Sequence, residues 1–143
     1  MRSTGLSEAV NRVQAGTSLH AALAEFVDAF ELASSDEARF AMLEKEPLLT
    51  KDKRLNALVG AIAEYLARQY KLGHIPSWVS GTARCLDRPW HTSSMFIDWK
   101  REFLTDGMRE YLTFSSPAEF ASRNIFTEER PLHRARGAQS VNT

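Results

Sequence analysis

Hydrophobic residues recur at every third or fourth position along much of the chain, the spacing that places them on one face of an α-helix. The clearest stripe predicts a helix over residues 18–34, because its apolar positions are separated by glutamate and aspartate. Thr17 or Ser18 can cap the start of this helix by accepting a hydrogen bond from a free backbone N–H. The positions that we expect to face a core are Leu19, Leu23, Phe26, Val27 and Phe30.

A second long stripe predicts a helix over residues 52–72, and Gly73 supplies the flexible residue that often follows a helix. Two shorter helices are predicted over residues 7–15 and 36–44, where apolar residues keep the same spacing. No segment alternates apolar and polar residues in the manner of a half-buried strand, so no sheet is predicted. The expected core positions of the second stripe are Leu55, Leu58, Val59, Ile62, Tyr65 and Leu66.

The pattern changes after Gly73, where prolines and glycines are mixed with tryptophans over residues 74–95. This composition predicts a short helix between loops. A longer helix is predicted over residues 96–114, and Ser116 with Pro117 then has the pattern of a cap followed by proline at the first position of a short helix. The core positions expected in the longer helix are Phe103, Leu104, Met108, Tyr111 and Leu112.

These elements predict one all-α domain over residues 1–143, a compact bundle of about five to seven helices with a loop-rich, aromatic C-terminal half. With 143 residues, of which 43% are hydrophobic, the chain is long enough and apolar enough to bury one core without disulfides. The polar residues from about position 137 onward are predicted to form a mobile tail.

The 18 basic and 18 acidic side chains cancel, which removes the long-range positive field that draws proteins to nucleic acids or anionic membranes. Nucleic acid is therefore disfavoured as a partner. No stretch approaches the ~18 apolar residues of a membrane span, and the opening MRSTGLSEAV lacks the apolar centre of a signal peptide. Cys85 is the only cysteine, which excludes an intramolecular disulfide. We therefore expect a cytoplasmic protein without membrane contact, in which Cys85 is buried and inert.

The best candidate for catalysis is the pair Arg68 and His74, whose spacing fits the R-x4–6-H pattern of HEPN-type ribonucleases, which are small helical proteins. That chemistry needs an arginine to hold phosphate and a histidine to move a proton in one pocket. Arg84 and His91 fit the same pattern, so we favour a surface arginine beside a loop histidine. A thiol–imidazole pair of Cys85 with His91 has no family motif around it.

The four histidines are far apart in sequence, and no pair has the spacing of a zinc site on a helix. The chain also has no glycine-rich phosphate loop. Acidic residues that lie close together, such as Glu44 and Glu46, are interpreted as solvated helix charges. We therefore predict no catalytic residue, no metal site and no cofactor.

Most of the aromatic residues lie between positions 78 and 126, and such residues dominate both cores and binding hot spots. They can form part of the core beneath loops, which we favour, or leave one or two anchors exposed. Between positions 123 and 136, arginines alternate with apolar residues, a mixture typical of segments that dock on another protein. This segment is predicted to add little to the fold itself. The predicted partner-binding residues are Trp90, Arg123, Ile125, Phe126, Leu132 and Arg134.

The C-terminal string SPAEFASRNIFTEERPLHRAR, together with PSWV and LDRPWH upstream, resembles a family of uncharacterised bacterial proteins. Members of that family are often encoded beside nucleotidyltransferase-like toxins of the AbiEii type, for which they are the proposed antitoxins. No catalytic residue is established for the family, so the resemblance implies a role and a partner but no mechanism. It covers about the second half of the chain and is carried by Pro76, Trp78, Leu86, Pro89, Trp90, Pro117, Phe120, Arg123, Asn124, Ile125, Phe126, Leu132 and Arg134.

These observations favour a non-enzymatic protein-interaction module, an antitoxin-like protein that binds and restrains a toxin enzyme through its C-terminal aromatic and basic segment. The partner would be the product of a neighbouring gene. The first alternative is a small helical ribonuclease of HEPN type that uses Arg68 and His74. The second is a transcriptional regulator with a helix-turn-helix around residues 47–70, against which the neutral net charge argues.

Overall fold

The computed structural model describes residues 5–93, 99 and 104–133, so the tail predicted from about residue 137 lies outside the described residues. Within them the chain forms six α-helices, two 3₁₀ turns and one pair of two-residue strands, which confirms the predicted all-α class. The helices are α1 (Leu6–Gln14), α2 (Leu19–Leu32), α3 (Asp36–Glu44), α4 (Lys53–Gln69), α5 (Asp106–Ser115) and α6 (Ala118–Ala121). The strands are β1 (Trp90–His91) and β2 (Ile125–Phe126), and the 3₁₀ turns span Ser77–Ser80 and Thr82–Arg84.

Helix α4 is the central element of the fold. Its residues 55–63 are buried without interruption, because α6 and both 3₁₀ turns pack against this helix. The two predicted stripes meet as expected, since Leu23 of α2 and Leu58 of α4 belong to one hydrophobic cluster. Truncating a buried leucine to alanine costs ~2–5 kcal/mol, so this cluster contributes a large share of the folding free energy.

Side chains fix both ends of α2. The predicted cap is confirmed, because Ser18 Oγ accepts a hydrogen bond from the N–H of Ala21 at 3.1 Å. At the other end, Arg39 of α3 donates to carbonyls that the helix geometry leaves free. These carbonyls belong to Phe30, Glu31 and Ala33. The guanidinium carbon also lies 5.0 Å from the ring centroid of Tyr70, so one arginine joins α2, α3 and the residue after α4.

The structure corrects the predicted boundaries of two helices. α4 ends at Gln69 rather than near residue 72, because Lys71 and Gly73 adopt φ angles of 52° and 96°, which a right-handed helix cannot contain. α6 is preceded by Pro117 as its N-cap, so Ser116 is not the cap that the sequence predicted. The Ser116 hydroxyl instead donates to a backbone carbonyl of β2 at 3.1 Å.

The helix predicted over residues 96–114 corresponds to α5 in its second half, and part of its first half lies outside the described residues. Among its predicted core positions, Leu104 and Leu112 are buried, whereas Tyr111 is exposed. Phe103 lies outside the described residues. α5 therefore buries one narrow side against the rest of the chain and leaves the opposite side open.

A short parallel ladder joins β1 to β2, although the sequence pattern predicts no strand. Trp90 lies opposite Ile125, and His91 lies opposite Phe126. The N–H of Trp90 donates to the carbonyl of Asn124 at 2.8 Å and so begins the ladder. Strands of two residues are too short to show an alternating pattern, which is why the sequence does not reveal them. Both α5 and α6 contact the ladder, which therefore organises the C-terminal half.

Candidate functional site

The predicted partner-binding residues lie mainly inside the protein. Those buried in the fold are Trp90, Arg123, Ile125 and Leu132. Phe126 is partly exposed, and Arg134 lies outside the described residues. The prediction that residues 123–136 add little to the fold is therefore wrong for the described part of that segment. Its apolar side chains fill the core of their own chain, as expected in the favoured alternative for the aromatic residues.

Arg123 holds three segments together from a position in which 5% of its surface is exposed. Its guanidinium donates to Glu64 Oε1 of α4 at 2.8 Å and to the carbonyls of Glu119 at 2.7 Å and Val79 at 2.8 Å. A buried charge needs such partners, because burying it unpaired costs several kcal/mol. Arg123, which the sequence analysis places among the partner-binding residues, therefore has a structural role inside the protein.

Glu64 accepts hydrogen bonds from two arginines. Arg68 donates to Oε2 at 2.9 Å, and Arg123 donates to Oε1. Burial by itself would raise the pKa of the Glu64 carboxyl, but the hydrogen bonds from Arg123 and Arg68, with their positive charges, outweigh burial and hold that pKa below its ordinary value. Glu64 is therefore ionised at neutral pH and neutralises the buried guanidinium of Arg123.

Arg84 is a second buried arginine, with 1% of its surface exposed. It donates to the carbonyls of Pro47 at 2.7 Å and Asn56 at 3.3 Å, and it pairs with Glu46 at 3.1 Å. Its guanidinium carbon lies 4.9 Å from the ring centroid of Trp78. Arg84 thus fastens the loop before α4 to the second 3₁₀ turn. Sequence reasoning missed this role, because Asn56 and Glu46 lie 28 and 38 positions away.

Most residues that carry the family resemblance meet in one substructure, which we call the two-strand unit: residues 76–91 and 117–126. The N–H of Leu86 donates to the carbonyl of Arg123 at 3.2 Å, and Asn124 Nδ2 donates to the carbonyl of Leu86 at 2.7 Å. The pairing of β1 with β2 continues directly from these bonds. The resemblance therefore maps onto one connected part of the fold and not onto scattered positions.

Helix α5 rests on the two-strand unit and presents two aromatic side chains to solvent. Leu112 is buried, whereas Phe114 is 83% exposed and Tyr111 is 51% exposed. Residues three positions apart lie on the same side of a helix. We call Tyr111 and Phe114 the α5 face, and we take it as the candidate interaction surface, because aromatic residues are enriched in binding hot spots. Sequence reasoning missed this surface, since it placed Tyr111 in the core and did not single out Phe114.

His91 connects β1 to α5. Its Nε2 lies 2.8 Å from Thr113 Oγ1, and that hydroxyl donates its hydrogen to the carbonyl of Arg109 at 2.8 Å. Because the hydroxyl has one hydrogen, the first contact requires a proton on His91 Nε2. Partial burial and the charge of Arg109 lower the pKa of His91, so its ring is neutral at neutral pH. The ring stacks on Phe126 with centroids 5.2 Å apart.

Cys85 is exposed, which contradicts the expectation of a buried thiol. The physical reason is that Arg84, the residue before it, occupies the buried position at this turn. The hydrogen bonds described for the chain do not join Cys85 to His91, whose Nε2 is engaged by Thr113. The thiol–imidazole pair considered from the sequence is therefore not formed.

The structure brings Arg68 and His74 to the lining of one cleft of about 480 Å³. However, Arg68 is already bound to Glu64 and lies 3.6 Å from a carboxylate oxygen of Glu119. The His74 ring packs edge-on against Phe40, with centroids 4.3 Å apart. A phosphate group would have to displace one or both carboxylates from Arg68, which weakens the ribonuclease hypothesis.

The helix-turn-helix considered around residues 47–70 is not formed. Residues 47–52 contain no helix, and the remainder of the segment is the single helix α4. Because α4 is the buried centre of the fold, little of its surface is free to enter a DNA groove. This part of the chain therefore serves the core.

Within the described ranges, no three histidine, cysteine, aspartate or glutamate side chains come together in a way that could hold a metal ion. No helix built from these residues has the length and apolar character to cross a membrane. The chain matches no protein-family model, no curated protein and no solved structure. The geometry of the chain itself, together with the sequence resemblance, is therefore what supports a functional proposal.

Proposed function

We propose that the protein is a non-enzymatic interaction module, an antitoxin-like partner that binds and restrains a nucleotidyltransferase-like toxin encoded by a neighbouring gene. The observation that carries the proposal is the convergence of the resemblance residues in the two-strand unit. Bonds between Leu86, Arg123 and Asn124 hold this unit together, and the unit supports α5. The proposal takes this unit, and the surface of α5 above it, as the part of the protein that the resemblance concerns.

The α5 face is the surface that this proposal assigns to the partner. Phe114 leaves most of its ring in water, and transfer of the ring into an interface would recover the free energy of burying that apolar area. Phe126 and the stacked ring of His91 lie beneath α5 and hold it in place. In this proposal Phe126 and His91 support the interface from below, and Phe114 forms the contact.

Co-expression with the neighbouring gene tests the proposal. The Phe114→Ala variant should bind the nucleotidyltransferase-like protein about 30-fold more weakly, the loss of ~2 kcal/mol expected of an interface hot spot, when the affinity is measured by calorimetry. Leu32→Ala is the matched control, because Leu32 is 73% exposed and lies on α2. If Phe114→Ala and wild type bind with equal affinity, the interface does not include the α5 face. A co-expressed pair that forms no complex would overturn the proposed function.

A small ribonuclease is the second candidate function, favoured by the observation that Arg68 and His74 line the same cleft. We rank the ribonuclease second to the interaction module, because Glu64 and Glu119 already neutralise Arg68. The two functions are separable, since the cleft and the α5 face share no residue.

A further inference from the structure

A cleft of about 550 Å³ lies between the loop that precedes α4 and the segment that follows the second 3₁₀ turn. This volume falls within the ~300–1,000 Å³ of typical ligand sites. Leu49 and Leu86 supply apolar surface, and Lys51 and Lys53 supply positive charge. Leu86 belongs to the two-strand unit, so the cleft adjoins the substructure that carries the family resemblance.

The walls of the cleft are fixed by hydrogen bonds. Asn56 Nδ2 donates to the carbonyl of Thr50 at 2.9 Å, and Asn56 Oδ1 accepts from the N–H and the hydroxyl of Thr50 at 2.9 and 3.0 Å. Arg84 in turn donates to the carbonyls of Asn56 and Pro47. An occupant would therefore enter a preorganised site, which avoids part of the entropic cost of binding.

The charged side chains that line the cleft are Lys51, Lys53 and Asp87. The arginines of the chain that pair with acidic side chains include Arg12, Arg39, Arg68, Arg84 and Arg123. Lys51 and Lys53, by contrast, have no carboxylate within ion-pair distance among the described residues. Asp52 lies between them in sequence, but its carboxylate accepts hydrogen bonds from the first N–H groups of α4. Asp87 is the single carboxylate in the lining, so the cleft keeps an excess positive charge.

We propose that this cleft receives an extended acidic segment of the partner protein. Apolar side chains of that segment would cover Leu49 and Leu86, and its carboxylates would pair with the ammonium groups of Lys51 and Lys53. The exposure of Leu49 to water, about half of its surface, supplies the apolar driving force. The inference rests on the proposed function, since it names the chemistry by which the same partner is held at a second surface.

Cys85 provides a reporter, because it is the only cysteine of the chain, is exposed and lines the cleft. The rate of its alkylation by iodoacetamide is measured by mass spectrometry for the free protein and for the complex with the neighbouring gene's product. An occupied cleft should slow alkylation about tenfold or more, since thiol reactivity depends on access. The same rate in both states would overturn the assignment of the cleft.

Charge reversal tests the acidic character of the occupant. The double variant Lys51→Glu, Lys53→Glu should weaken the complex about tenfold or more at low salt, with a smaller effect at ~0.5 M salt, where exposed charges are screened. Lys71→Glu is the matched control, because Lys71 lies beyond the other end of α4, about 25 Å away along the helix. This control should bind like wild type, and circular dichroism should show that all variants fold.

The outcomes separate the two proposals. If the complex forms but the double variant binds like wild type, the occupant is not acidic and the present inference fails, while the proposed function stands. If the double variant and Lys71→Glu weaken binding equally, the effect comes from net charge, and the cleft is again the wrong site. If no complex forms at all, the proposed function and this inference fail together.

Discussion

Two buried arginine side chains, those of Arg84 and Arg123, pack against α4 at Gly60. A Cβ atom added there would lie 3.1 Å from Cβ of Arg84 and 3.3 Å from Nε of Arg123. The first of these atoms is fixed to its own backbone, and the second belongs to a guanidinium held by three hydrogen bonds. Neither can retreat easily. The crowding therefore opposes a Cβ atom at a helical position where alanine would otherwise be favoured by ~1 kcal/mol.

We predict that Gly60→Ala lowers the free energy of unfolding by ~1–3 kcal/mol, because overpacking outweighs the gain in helix propensity. Urea unfolding followed by circular dichroism measures the change. Gly107→Ala is the control, because Gly107 lies in α5 and a Cβ atom there would meet nothing within 4 Å. That variant should be neutral or slightly more stable. Equal stabilities of the two variants would show that the arginines do not crowd Gly60.

The pH dependence of the free energy of unfolding should reflect the ionisation of the Glu64 carboxylate. Its pKa is lowered in the folded state, so its contribution is present above the unfolded pKa of ~4.3 and is lost as the pH falls through the folded pKa. We expect Glu64→Gln to cost ~1–3 kcal/mol at neutral pH, where a charged acceptor is lost to two arginines. The difference from wild type should shrink below about pH 4.

Urea unfolding at pH 7 and pH 3 checks this expectation. Glu25→Gln serves as the control, because Glu25 pairs with Arg12 at the surface, where an ion pair contributes only ~0–1 kcal/mol. A stability difference for Glu64→Gln that is the same at both pH values would contradict an ionised, arginine-bound carboxylate in the folded protein.

At the scale of elements, the helices α1 to α4 could be predicted to within a few residues, because helical periodicity is a local property of the sequence. The stripes that contain Leu23 and Leu58 are the clearest cases. The pairing of Trp90 with Ile125 could not be predicted, since it joins two-residue strands that are far apart in sequence. Its existence depends on the tertiary packing of α5 and α6 against the ladder.

For the candidate site, the sequence could not show which residues are exposed. A mixture of arginine and apolar residues indicates contact with a complementary surface, but it does not say whether that surface belongs to the same chain. Arg123 finds its acceptors at Glu64 and Val79, which are 59 and 44 positions earlier. Phe114 remains exposed because α5 buries a narrow side. Only the three-dimensional arrangement decides which aromatic residue is core and which is surface.

Truncation of the C-terminal segment should therefore unfold the protein to a large extent. We predict that deleting everything after Asn124 lowers the free energy of unfolding by at least ~4 kcal/mol, because Ile125 and Leu132 each fill part of the core. Thermal and urea unfolding measure the loss. A chain that ends at His133 is the control, since it retains every described contact. If the melting temperature stays within a few degrees after the first deletion, the segment after Asn124 is not part of the core.

The whole molecule distributes its charges unevenly, although they sum to zero. Acidic side chains such as Glu46 and Glu64 neutralise the buried arginines from within. Lys51 and Lys53, which line the cleft at the start of α4, form no ion pair with the described acidic side chains. The proposed site for an acidic segment therefore lies where two such lysines line one cleft.

Ribonuclease activity provides a test at the same scale. We expect the purified protein to cleave a fluorogenic RNA no faster in its wild-type form than as the His74→Ala variant. The reason is that Arg68, the group that would hold phosphate, is occupied by Glu64 and Glu119. Cleavage that disappears with this one substitution, in a variant that keeps its circular dichroism spectrum, would make the enzyme the better interpretation.

The contact between Arg123 and Glu64 also sets an order of events during synthesis. These residues are 59 positions apart, so a ribosome that adds about 5–20 residues per second makes the second one roughly 3–12 s after the first. During that interval α1 to α4 can already form, because the backbone hydrogen bonds of a helix join residues four positions apart. The side of α4 that will receive α6 is then still uncovered. The nascent chain therefore carries an open apolar surface until the last fifth of it has been translated.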